Sequence, residues 1–413
     1  MLRNNDLSMH TDRERDNQQW MLDWMIKTTG REQNFQYDER RFPAEAKTYR
    51  MIPRVMFKEA AHKERIARAA DEAGYAETAS SLYYEAVEVY RHGQHTIFED
   101  DNPEKIHLHD RMSDCYDRII ALSDGCIERV EIEWEGSQLS GILHHAPGEG
   151  PKPLVIFCPG MDMTKEAQPH PVNNVFTRRG LSVLSIDGPG QGVSNLRKIR
   201  VTADNYERAG SAFIDAMVAR DDIDSDRIAI SGFSMGSHWG SRIAALDKRV
   251  KAIATAAATY GSKRPLFQLA SPRFKQMFMY MAGISEEQEF DRLAEQLGLV
   301  NEAEDITCPS LQVIGEYDPL CYLEDAHDVY KRIKGPKEFW VIENDFHIPV
   351  KVRNLGGLDI YPFLADWLRD ALNGRFKAGH EREILIREHE GVGPYEDQVP
   401  GYWLPERAPL LGG

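Results

Sequence analysis

Along the first 125 residues, apolar positions recur at helical spacing and no convincing strand interrupts them. Residues 59–73 are rich in Ala, Arg, Lys and Glu. Residues 76–90 place Leu82, Tyr83, Ala86, Val87, Val89 and Tyr90 along one helix face. Gly74 lies between these stretches and predicts a short turn joining two antiparallel helices. The pair is similar to a tetratricopeptide unit, but one unit cannot form a solenoid and no fixed-period repeat follows. The acidic run 99–103 reads as a loop.

From about residue 127 the period changes. Residues 129–134 and 139–143 predict a hairpin turning at Glu135-Gly136. Short apolar strands follow at 153–158, 181–186, 227–231, 252–257, 310–314 and 338–342. Helical patterns near 171–180, 204–220, 235–247, 322–334 and 358–373 alternate with them. This alternation predicts an α/β fold, a mainly parallel sheet with helices on both faces. Residues 261–305 interrupt it with a helical insertion whose Phe274, Met277, Phe278, Tyr280 and Met281 form an apolar stripe. Such a stripe serves packing first, yet its place in the chain also makes it a candidate pocket wall. The chain thus divides into a helical N-terminal domain (1–125), an α/β domain (126–374) and a C-terminal extension (375–413), read as an extended arm.

Composition narrows the possibilities. A chain of 413 residues with 42% hydrophobic content can bury a large core and a smaller second one. A formal charge of −16 argues against nucleic acid or an anionic membrane as partner. Residues 1–20 are polar without an apolar run, so no secretory signal is expected and a cytoplasmic location is. Five cysteines without a C-x-x-C pair fit unpaired thiols in a reducing compartment. His107 and His109 are expected in a solvated loop, because nothing nearby completes a metal-ligand set.

The chemistry concentrates at strand ends. Gly232-Phe233-Ser234-Met235-Gly236 is a G-x-S-x-G pentapeptide between a buried strand and a helix of small and apolar residues. That context places the Ser234 hydroxyl on a sharp, exposed bend as a candidate nucleophile. A serine needs a base and a group that orients the base, and both are expected after later strands. Asp318 follows the strand 310–314, and His347 follows the strand 338–342. Glu316 is the alternative acid, while Asp325, His327 and His238 fall on predicted helices and read as structural. The oxyanion donors are expected to be the backbone N–H groups of Met235, at the helix start, and Met161, in Pro159-Gly160-Met161. Asp187-Gly-Pro-Gly-Gln-Gly192 lacks the spacing of a dinucleotide loop and no P-loop lysine follows. No cofactor or metal is therefore expected.

These elements resemble the α/β-hydrolase superfamily. With Thr164-Lys165-Glu166 and the helical N-terminal region, the chain is similar to the branch of 2,6-dihydroxypseudooxynicotine hydrolase and the fungal polyketide-shortening hydrolases. That resemblance implies hydrolysis of a carbon–carbon bond beside a carbonyl in an acyl-aromatic, β-dicarbonyl or polyketide-like small molecule. It also implies a helical cap over the active site, a homodimer, and contact of Glu166 with substrate or water. A surface carboxylate is the competing reading of Glu166. Two other functions stay open: a carboxylesterase using the same residues, and a non-enzymatic scaffold.

Overall fold

The computed structural model of the chain describes residues 45–261, 263–270, 272–299, 301–347 and 351–395. The expectations for residues 1–44, that of no secretory signal among them, and for 396–413 lie outside the described residues.

Three helices come first: α1 (Ile52–Glu72), α2 (Ala76–Gln94) and α3 (Pro103–Leu122). Gly74 joins α1 to α2 at φ 82°, a left-handed conformation that glycine adopts without strain. Asn102 caps α3, its side-chain oxygen accepting from the Glu104 and Lys105 N–H groups at 3.0 and 3.1 Å, with Pro103 at the first helical position. The three helices share a core of Met56, Tyr83, Tyr90, Met112, Tyr116 and their neighbours.

The rest of the chain builds a nine-stranded sheet in the order β1-β2-β4-β3-β5-β6-β7-β8-β9. Its strands are β1 (Ile127–Trp134), β2 (Ser137–His144), β3 (Lys152–Cys158), β4 (Ser182–Asp187), β5 (Ile223–Phe233), β6 (Val250–Ala256), β7 (Ser310–Gly315), β8 (Lys337–Ile342) and β9 (Glu381–Ile386). The β1–β2 and β2–β4 pairs are antiparallel and all the others are parallel. Between the strands lie α4 (Gly192–Leu196), α5 (Asn205–Val218), α6 (Met235–Leu246), α7 (Lys263–Leu269), α8 (Pro272–Ala282), α9 (Glu287–Gln296), α10 (Leu323–Arg332) and α11 (Tyr361–Leu372). Alternate residues of each central strand enter different cores. Leu154 and Ile156 pack towards α5, α6 and α10, whereas Val155 and Phe157 pack towards α11. From β3 the chain steps outward to β4, then crosses back to β5 on the other side of β3. That reversal opens a crevice at the carboxyl ends of β3 and β5.

Three expectations are corrected. Residues 171–180 form a loop with a single 3₁₀ turn at Thr177–Arg179. Pro169 and Pro171 discourage a helix there, and the Asn174 side chain takes the Phe176 N–H at 2.9 Å. His107 and His109 lie on α3, where His109 is buried and His107 rests against Phe57, not in a solvated loop. The C-terminal extension is no simple arm, because its residues 381–386 add β9 beside β8 and bury Ile384, Leu385 and Ile386. Among the described residues, no helix is long and apolar enough to cross a membrane.

The seam between α1–α3 and the sheet holds two buried histidines. The Tyr116 hydroxyl and His144 Nε2 are hydrogen-bonded at 3.1 Å, and burial lowers the pKa of both His144 and His109 to about 3. Each stays neutral in the folded protein while an unfolded histidine titrates near 6.5. Between these values the unfolded state binds more protons, so stability rises with pH and is lost as pH falls below 6.5. Lowering the pH from 7 to 5 should cost about 2 kcal/mol per histidine. Urea unfolding at the two pH values measures this, and His109→Gln should flatten the dependence; an unchanged slope would contradict the buried neutral state.

Candidate active site

β5 ends at Phe233 and α6 begins at Met235, leaving Ser234 alone to turn the chain. Its backbone takes φ 53°, ψ −124°, a region that costs on the order of 1–3 kcal/mol for a residue with a side chain. Hydrogen bonds hold the bend: Ser234 N–H donates to Ala256 O at 3.0 Å and Ser237 N–H to Ser234 O at 2.9 Å. The flanking glycines are steric requirements. A Cβ on Gly232 would stand 2.6 Å from Gly236 O, and one on Gly236 would overlap the Cys158 carbonyl oxygen.

Ser234 Oγ lies 2.8 Å from His347 Nε2, and His347 Nδ1 lies 2.9 and 2.8 Å from the two Asp318 carboxylate oxygens. All three residues are buried. A carboxylate only accepts, so Nδ1 carries the proton and Nε2 is free to accept from the Ser234 hydroxyl. Asp318 is itself fixed, since its Oδ1 accepts from Leu320 N–H at 2.8 Å. The arrangement can therefore draw a proton from Ser234 and hold the resulting imidazolium.

The competing residues are occupied elsewhere. Glu316 accepts from Asn344 N–H at 3.0 Å, His327 sits 3.3 Å from Glu383, and Asp325 is on α10. His238 is fully buried one turn into α6.

Met235 directly follows Ser234, and the loop that carries Met161 comes close to it. Met235 opens α6, where the N–H has no intrahelical acceptor. Met161 follows Gly160, whose Cα packs so closely that a Cβ would be 3.2 Å from Ser234 Cβ. Beyond Met161, a cavity of about 50 Å³ is lined by Lys105, Gln191, Met277, Tyr280 and Met281 among others. The insertion thus does form a wall, through α8, and α3 contributes Lys105. A larger cavity of about 310 Å³, lined by Ser123, Cys126, His144 and Asn174 among others, includes none of the candidate site residues.

Glu166 is neither on the surface nor on the cavity wall. It is fully buried, 2.7 Å from Lys165 Nζ and 3.8 Å from Arg129 Nη1. Burial alone would raise its pKa, but the Lys165 and Arg129 charges beside it hold it below the ordinary carboxylate range. Lys165 Nζ also donates to Asp187 Oδ2 at 2.9 Å, and Lys165 N–H to Asp187 Oδ1 at 2.8 Å. The glycine-rich loop after β4 thus cradles a carboxylate of its own chain, since Asp187 also accepts from Val193 N–H at 3.0 Å. Residue type alone does not single out Gln191, Lys165 or Asp187, although the D-G-P-G-Q-G run points to the segment that holds two of them. Elsewhere, Glu128, His145 and Asp222 gather closely enough to suggest a cation, but Arg220 already bridges the two carboxylates at 2.6 and 2.8 Å.

The family model for esterase FrsA-like proteins matches residues 46–281, more than half of the chain. The chain belongs to the FrsA-like esterase family. Among its relatives, the α/β hydrolase gkaG of Penicillium citrinum is 32% identical over 227 residues, covering 52% of each chain. The 2,6-dihydropseudooxynicotine hydrolase of Paenarthrobacter nicotinovorans is 28% identical over 271 residues, 63% of this chain and 69% of the relative. Esterase FrsA of Escherichia fergusonii matches over a shorter stretch, 32% identical over 120 residues, 29% of this chain and 28% of that one. This FrsA-like chain therefore spans only about half the length of gkaG. The crystal structure of the 2,6-dihydroxy-pseudo-oxynicotine hydrolase superposes with a TM-score of 0.69 at 24% identity, covering 80% of this chain and 91% of that one. It shares the fold.

The close approach at Gly236 carries a prediction. Gly236→Ala should destabilise the protein by about 3 kcal/mol in urea unfolding, through overpacking, and abolish fluorophosphonate labelling of Ser234. Gly298, with open space around its α-carbon, is the control. Gly298→Ala should change stability by about 0.5 kcal/mol at most.

Proposed function

We propose that this chain is a serine hydrolase that cleaves a carbon–carbon bond next to a carbonyl in an acyl-aromatic, β-dicarbonyl or polyketide-like small molecule. The observation that carries the reading is the hydrogen-bonded line from Ser234 Oγ through His347 to Asp318 at the switch point of the sheet. In this reading Ser234 Oγ attacks the ketone carbon as its proton passes to His347 Nε2. The carbonyl oxygen, now an oxyanion, is held by the N–H groups of Met161 and Met235. Collapse breaks the carbon–carbon bond, and the electron pair leaves on an enolate or aryl carbon that takes the proton from His347. The acyl group stays on Ser234 as an ester. Water, deprotonated by His347, then releases it as a carboxylic acid and restores the serine.

A carbanion leaving group is a far poorer leaving group than an alcohol, so it must be protonated as it departs, and bulk water would divert the reaction. The helices α2, α3 and α8 around the cavity support such exclusion. The cavity, which Met161 lines and Ser234, Asp318 and His347 do not, measures about 50 Å³, small beside the roughly 300 Å³ or more of usual ligand sites. The resemblance to the pseudooxynicotine hydrolase branch supports the same bond type. A second reading, carboxylester hydrolysis with the same residues, is favoured by the family's esterase description and the match to esterase FrsA.

Ser234→Ala should lower turnover by about four orders of magnitude or more while keeping the fold. Mass spectrometry of products formed in ¹⁸O-water from acyl-phenols, β-diketones and matched aryl esters separates the bond types. Labelled acid together with a free ketone or arene, from wild type only, is the expected result. Cleavage of esters alone would move the assignment to carboxylesterase. Turnover retained by Ser234→Ala would overturn both readings.

A further inference from the structure

The N–H of Met161 can serve as an oxyanion donor only if the peptide that carries it is held in one orientation. That peptide is the one joining Gly160 to Met161, so the Gly160 carbonyl and the Met161 N–H lie in one plane and point in opposite directions. Whatever grips the carbonyl therefore aims the N–H. The flanking Gly160 makes the peptide intrinsically free to rotate.

The grip comes from Gln191. Its Nε2 donates to Gly160 O at 2.7 Å, reinforcing the Met163 N–H that donates to the same oxygen at 3.1 Å. The same Nε2 lies 3.3 Å from Pro159 O and 3.5 Å from Met163 O, so it faces the whole loop. Its Oε1 accepts from the Tyr206 hydroxyl at 2.6 Å, which fixes which end of the amide faces the loop. Gln191 and Tyr206 are 2% and 1% exposed, so water does not compete for these bonds. Tyr206 in turn stacks on Trp239, with ring centroids 4.1 Å apart and planes 4° from parallel. Trp239 lies on α6, the helix that begins with Met235. Gly188 makes room for this ring, because a Cβ there would overlap it.

We infer that Gln191, oriented by Tyr206, is a positioning residue that sets the Gly160–Met161 peptide so that both oxyanion donors face Ser234 together. Gln191 borders the cavity, but both ends of its amide are committed to the protein rather than to a substrate. The inference rests on the proposed serine hydrolase reading. It goes beyond it by naming what keeps the donor in place.

The test uses the full chain with 4-nitrophenyl acetate as substrate and a trifluoromethyl ketone as a ligand that forms an oxyanion on Ser234. Gln191→Met should lower kcat by about 10- to 100-fold with KM within about twofold, less than the roughly 10²–10³ of losing a donor outright. Affinity for the trifluoromethyl ketone should fall by the same factor as kcat/KM, while affinity for the matching methyl ketone stays unchanged. Gln191→Glu, whose carboxylate repels Gly160 O, should lose more. Tyr206→Phe keeps the stack on Trp239 and removes only the hydroxyl; it should show the same selective loss in smaller measure, and it decides the matter if Gln191→Met does not fold. A folded variant with kcat within twofold of wild type overturns the inference. So does an equal loss of trifluoromethyl and methyl ketone binding. Failure of the underlying reading has another signature, turnover that survives Ser234→Ala.

Discussion

The site depends on one steric constraint, the closeness of α6 to the end of β3. The Gly236 α-carbon sits where any Cβ would overlap the Cys158 carbonyl oxygen, and a Cβ on Gly160 would stand 3.2 Å from Ser234 Cβ. That closeness allows a strand-to-helix turn of a single residue, with Ser234 at φ 53°. It also brings the loop after β3 and the first turn of α6 together beside Ser234. The strain at Ser234 persists because the surrounding hydrogen bonds, from Ser234 N–H and Ser237 Oγ to Ala256 O, over-determine the bend.

A second constraint joins the loops that backbone pairing alone does not fix. Lys165, Glu166 and Asp187 form a buried charged cluster between the loop after β3 and the loop after β4. Such clusters seldom raise stability, because desolvation offsets much of the attraction. Their geometric effect is more specific. Asp187 accepts from both the backbone and the side chain of Lys165 and from Val193 N–H, so the two loops can meet in one register only. Gln191 lies in that second loop, so the charged cluster and the amide fix the same loop pair at separate points.

The sheet and the Ser234, His347 and Asp318 positions were legible because each rests on a local pattern. Every one of the three follows a short apolar strand, and parallel strands buried on both faces leave an unambiguous run of Val, Ile, Leu and Ala. The features that escaped depend on distant partners. β9 is a short charged-and-apolar segment whose strand character comes from pairing with β8. Residues 171–180 carry an acceptable helical pattern, overridden by prolines and by the Asn174 side chain. Glu166 reads as a surface acid by type. Its charge is tolerated in the interior because Lys165 and Arg129 lie beside it, a grouping that only the folded chain assembles. Gln191 is one glutamine in a glycine-rich run, and nothing local indicates that it faces the Gly160 carbonyl.

What separates the two proposed chemistries is proton delivery after the attack, since attack itself is common to both. An ester expels an alkoxide or phenoxide that needs little help, so any geometry that activates Ser234 suffices. A carbon leaving group needs the proton on His347 Nε2 at the moment the bond breaks, hence a substrate held with its α-carbon over that nitrogen. His347 is locked on its other side by both Asp318 oxygens and cannot swing to meet a loosely bound substrate. In the proposed reading the substrate must be brought to the imidazole, and α8, the end of α2 and the start of α3 line the cavity beyond Met161. In that reading, bond selectivity is therefore set by those helices, and the line from Ser234 to Asp318 serves either bond.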